Sequence, residues 1–213
     1  MTTRSLGLAC ALLFAVACGG GTSTPTGPTA SSVSVQPKDL PKGMVKCDLT
    51  GDIDSFLNKE KTQDPTTYQS TKSEWDSAQK NGATAAYTAF YADTAQHCTA
   101  IKSSGADIGN ASFKLVVNFV VQFKDEASAA KGYTSESIFG FSVSSLKSGG
   151  APVVEGTKTG LTANSLTLSA ALGSQSFYIA VWQNKTFMVI LAVLNTDATA
   201  SKNVATSMNG RIK

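Results

Sequence analysis

The sequence predicts a single α+β domain: a mostly antiparallel sheet with helices on both faces (an αβα sandwich), an N-terminal helical segment before the strands and a helix at the C-terminus. Three observations predict it. Apolar residues recur at three-to-four spacing across residues 50–103, then switch to alternation after Gly105. Short β-like runs follow one another from residue 152, as in a meander. The run Phe-Met-Val-Ile-Leu-Ala-Val-Leu at 187–194 is apolar on both parities and needs cover on both sides, which makes it a central strand. A chain of 213 residues suits one domain with a tail.

The elements follow in order. A helix starts near Asp52, with Ile53, Phe56 and Leu57 on one face. Pro65 interrupts it, and Thr66-Thr67 offer the next N-terminus. Tyr68, Trp75 and Ala78 mark that second helix, and Asn81-Gly82 ends it. From Ala83 the positions Tyr87, Phe90, Tyr91, Thr94, Cys98 and Ile101 predict a third helix. Phe113, Leu115, Val117, Phe119, Val121 and Phe123 then share one parity of a strand. Asp125-Glu126 caps a helix through Lys131, the stretch 137–148 is ambiguous, and Gly149-Gly150 with Pro152 breaks the chain. Strands are expected near 152–159, 164–172, 176–182 and 186–194, the last two joined by a hairpin at Gln183-Asn184-Lys185. Ala200, Val204, Met208 and Ile212 recur every four residues in a final helix, with Asn195 or Thr196 as its cap.

Composition narrows function mainly by exclusion. Only 15% of residues are charged, polarity coming instead from 24 Thr and 25 Ser. A net charge of +3 offers no surplus for gripping phosphates, so no nucleic acid is expected as a partner. One histidine rules out a multi-histidine metal site. No cofactor motif is present: Gly149-Gly150 lacks the later glycine and lysine of a phosphate-binding loop.

Residues 1–17 pair a positive start at Arg4 with an apolar run from Leu6 to Ala17, too short for a bilayer span but suited to a signal peptide. The run ends in Ala15-Val16-Ala17-Cys18. Small residues before a cysteine resemble the lipobox of bacterial lipoproteins, with Ala15 where that family usually has Leu; Gly7-Leu8-Ala9-Cys10 is a weaker rival. The resemblance implies a diacylglyceryl group on Cys18, cleavage before it and acylation of the new amine. It also implies an extracytoplasmic protein anchored by lipid, at the outer membrane where the host has one. Residues 18–36, uncharged and rich in Gly, Ser, Thr and Pro, read as a flexible tether, and 37–213 as the globular domain. Mucin-like glycosylation is the alternative use of that stretch.

Within the domain, Cys47 and Cys98 form an even pair that reads as a disulfide in an exported protein. It would close a loop of about 51 residues, worth roughly 4 kcal/mol by loop-closure entropy. The element order after Phe113, with Trp182-Gln183-Asn184-Lys185 at the hairpin, weakly resembles extracellular sensor domains of bacterial Ser/Thr kinases and the Mog1/PsbP-like lipoproteins. Both are αβα sandwiches, and the resemblance transfers no functional residue.

His97 is the only imidazole, and Asp93 four residues earlier can pair with it. Gly140-Phe141-Ser142-Val143-Ser144 approaches a nucleophile elbow but has serine in place of the second glycine. The acidic stretch 48–54 fails the calcium-loop pattern at Ile53 and Lys59, and capping by Asp52 or Asp54 explains it better. Tyr178 and Trp182 share a strand parity and would either line an apolar pocket or pack beneath a helix. No catalytic set emerges. The expectation is a non-enzymatic envelope module, tethered through Cys18, that binds a small molecule, lipid or envelope protein. A hydrolase using His97 and a structural or assembly lipoprotein are the alternatives.

Overall fold

The structure is a computed structural model, describing residues 27–101, 110–135, 137 and 140–213. Its strands are β1 (Val45–Lys46), β2 (Gly51–Asp52), β3 (Ala83–Ala92), β4 (Leu115–Phe123), β5 (Val153–Glu155), β6 (Ser165–Leu172), β7 (Gln175–Asn184) and β8 (Phe187–Leu194). They make one sheet in the order β1-β3-β4-β8-β7-β6-β5, with β2 also paired to β3, and every pairing is antiparallel. β8 lies at the centre, as its two-sided apolarity requires, and all eight of its residues are buried.

Helices cover both faces. On one side sit α2 (Ile53–Gln63), α3 (Pro65–Lys80), α4 (Ala95–Ala100), α5 (Glu126–Ser135) and α6 (Val143–Ser148); on the other, α1 (Ala30–Val33) and α7 (Ala198–Gly210). The alternation of β4 explains this division. Leu115, Val117, Phe119, Val121 and Phe123 enter the α2–α3 core, while Val116 and Val120 enter the α7 core. On the first side Phe56 stacks on Phe90 at 5.9 Å, and Phe119 meets both rings edge-on.

Caps set the helix starts. Asp52 accepts from Ser55 N at 2.8 Å to begin α2, as the sequence suggests. For α3 the cap is Asp64, with Pro65 in the first turn, rather than Thr66 or Thr67. Asp125 accepts from Ser128 N at 2.7 Å and opens α5. Asp197 caps α7, because Asn195 is used elsewhere. Held at φ 54°, Asn195 donates to the carbonyls of Ala111 and Phe113 and accepts from Ser176 N, joining three chain segments.

Two expectations are corrected. Residues 83–92 form a strand, not a helix: β3 pairs with β4 from Ala83 to Ala92. Alanine favours helix locally, but pairing and burial decide here, and alternate small residues let the layers approach both sides. Ala86, Phe90 and Ala92 face one core; Ala89 and Tyr91 face the other. Only Ala95–Ala100 of the expected third helix is helical.

The domain boundary also moves. Residues 28–36 are not spacer: Thr29 caps α1, and Ala30, Val33 and Val35 are buried against the sheet. The proposed signal peptide and the rest of the tether, with Cys10 and Cys18, lie outside the described residues.

Candidate functional site

Three places bear on chemistry: the end of β3 with α4, the α7 face of β7, and the N-terminal strap, residues 28–46. At the first, Thr94 caps α4 by accepting from His97 N at 3.1 Å. This aims the imidazole back at Asp93, where Nδ1 and Oδ1 are 2.5 Å apart. The pair arises across the strand-to-helix junction rather than along one helix face, since Asp93 precedes the cap. The ring also stacks on Phe113, centroids 4.2 Å apart. Burial works to raise the Asp93 pKa, but hydrogen bonds from His97 and from Lys114 N outweigh it and hold the carboxyl below its ordinary value.

This pair could orient a general base, yet among the described residues no nucleophile completes it. Among the described residues no serine hydroxyl shares a hydrogen bond with the His97 ring. Ser142 is spent as the α6 cap: its Oγ accepts from Ser145 N at 3.0 Å within a capping box. Asp48 is engaged by Lys59, and Asp52 by α2. Among the described residues no group of three His, Cys, Asp or Glu side chains could hold a metal.

Beside α4, Cys47 and Cys98 are joined by a disulfide with Cα atoms 5.1 Å apart. Cys47 is buried in the α2–α3 core, so the bond ties that core to the half-buried Cys98 on α4. Leu49, Gln63, Thr99 and Ile101 line an open hollow beside it, of about 450 Å³.

On β7 the sequence grouped Tyr178 with Trp182, and the structure separates them. Both face α7, but Trp182 is wholly enclosed, and among the described residues its Nε1 has no hydrogen-bond partner. Tyr178 touches a shallow hollow of about 280 Å³ with Ser169, Ala171, Ser176, Thr196 and Ala198. Burial pushes its phenol up to about 12.

The strap is what sequence reasoning missed. Buried Asn118, on the α7 side of β4, accepts from Ser34 Oγ at 2.6 Å and Val35 N at 3.1 Å while donating to Ile190 O. Arg211, just past α7, grips both oxygens of Asp39 and the carbonyls of Val33 and Ser34. A polar residue in an otherwise apolar strand was the available signal.

No protein-family model matches this chain, and no curated protein matches it. A solved structure, the extracellular domain of PknH from Mycobacterium tuberculosis, is a weak match: 11% identity over 62% of this chain and 66% of that one, TM-score 0.41. Overlap at this level carries no conclusion about activity.

Proposed function

We propose that the chain is an extracytoplasmic, non-enzymatic binding module of the cell envelope, anchored through a lipid on Cys18. The observation supporting it most directly is the Cys47–Cys98 disulfide, since such bonds persist in oxidising compartments. The other two cysteines, Cys10 and Cys18, both fall in the N-terminal stretch, and Cys18 alone follows the full apolar run. No helix among the described residues is long and apolar enough to cross a membrane; the proposed anchor is the acyl group on Cys18. Ligand or partner would be a small molecule, lipid or envelope protein.

Mass spectrometry of the N-terminal peptide tests this reading. The expected product begins at Cys18 with a thioether-linked diacylglycerol, and Cys18→Ser shifts the protein from the membrane to the soluble fraction. An unmodified thiol on a freely soluble product overturns it. The Asp93–His97 contact favours a second reading, an envelope hydrolase. Turnover of ester, amide or glycoside substrates that disappears in His97→Ala would establish it.

A further inference from the structure

Residues 37–46 form the outer part of the strap, from the 3-10 turn Pro37–Asp39 to β1. Lys38, Lys42 and Lys46 all point to solvent, spaced four residues apart. The only acidic residue in this stretch, Asp39, is turned inward with a side chain 4% exposed, and Arg211 neutralises it. Val45 is 38% exposed, one of two large apolar residues so placed among those described. The next carboxylate along the chain, Asp48, is paired with Lys59. The strap is therefore locally cationic although the protein as a whole carries only +3.

Its position gives this charge a use. Gly27 is the first described residue, and Ser32 and Lys38 border the same surface hollow, so the lysines begin close to where the chain joins the body. Lys46 pairs with Tyr91, whose hydroxyl donates to Val35 O, so the strap's far end stays against the same sheet face. Eight residues separate Cys18 from Gly27, so the nine steps between them span at most about 32 Å.

We propose that the strap is a second membrane contact: Lys38, Lys42 and Lys46 lie against anionic lipid headgroups and orient the domain beneath its acyl anchor. This rests on Cys18 being the anchor, since the short link brings the strap to the bilayer. Lysines near an anionic surface strengthen binding by roughly fivefold each, and salt screens them within about 10 Å at 0.1 M. Neutral lipid offers them nothing, so the contact distinguishes anionic from zwitterionic bilayers.

The test uses the full chain as isolated from its membrane, reconstituted into vesicles of pure phosphatidylcholine or of phosphatidylcholine with one third phosphatidylglycerol. A membrane-impermeant amine reagent labels exposed lysines, read residue by residue by mass spectrometry. The proposal expects labelling of Lys38, Lys42 and Lys46 to slow at least fivefold on anionic vesicles at low salt and to recover at high salt. Lys61, Lys80 and Lys158, exposed on α2, at the end of α3 and in the 3-10 turn before β6, should change less than twofold. Equal labelling on both vesicles, with the protein still floating on both, overturns the strap contact and leaves the anchor intact. Failure to float on neutral vesicles removes the anchor instead. In that case salt-sensitive flotation on anionic vesicles, lost in the Lys38→Gln, Lys42→Gln, Lys46→Gln triple variant, sustains the contact, and its absence overturns it.

Discussion

The two faces of the sheet hold their outlying segments by different physics. On the α2–α3 side, α4 is secured by a covalent bond to Cys47 beside an aromatic cluster of Phe56, Phe90 and Phe119. On the α7 side, the strap is secured by buried hydrogen bonds from Asn118 and by the Arg211–Asp39 pair. A covalent tie constrains the unfolded chain as well as the folded one. A hydrogen-bonded clasp acts only when the sheet is formed, and its cost appears when one partner is removed. The strap is thus the segment expected to open without the rest unfolding.

The largest effect should come from Phe90→Ala, which empties the centre of the aromatic cluster; urea denaturation should show a loss of about 3–5 kcal/mol. A loss below about 1 kcal/mol would mean that this side does not depend on the cluster. Replacing both Cys47 and Cys98 by Ser should cost about 2–4 kcal/mol by the same measurement, with β3–β4 pairing retained. Asn118→Ala strands Ser34 and Val35 N and should cost roughly 1–3 kcal/mol. Hydrogen exchange is the sharper readout there: Val35 should lose protection while β4 amides keep theirs, and uniform loss would erase the contrast between the faces.

Acid should loosen the covalent side in particular. Asp93 and Asp52 have folded pKa values below the ordinary 3.8, Asp93 through its bonds to His97 and Lys114 N outweighing burial, Asp52 mainly through the Ser55 N–H. A depressed carboxyl contributes stability that is complete above its unfolded pKa and lost as pH falls toward the folded one. Unfolding free energy should therefore decline below about pH 4, and Asp93→Asn should flatten part of that slope. An unchanged slope would dismiss the Asp93 contribution. The smallest effect should be Trp182→Phe: because the indole N–H is buried without a partner, stability should change by less than about 1 kcal/mol. A larger loss would mean that indole volume, not polarity, governs the α7 core.

Much of this architecture was legible because periodicity reports burial directly. The alternation of β4, the two-sided β8 and the four-residue repeat of α7 each state which faces are covered, and the structure covers them. Residues 83–92 misled because tyrosine and phenylalanine fall at helical spacing among alanines, while their partner strand begins more than 20 residues later. Tyr178 and Trp182 could be assigned to a shared face but not to open or closed parts of it; that depends on where α7 begins. His97 and Asp93 were paired correctly for an incomplete reason, since Thr94 capping rather than a common helix brings them together.

By itself the sequence determined the class of fold, the central strand and the cysteine pair, because each follows from local spacing or composition. Only the tertiary structure decided that the supposed tether enters the core at Val33 and that Asn118 receives it. A hydrogen bond joining residues 83 positions apart leaves no periodic trace, because its energy exists only once two distant surfaces have excluded water together.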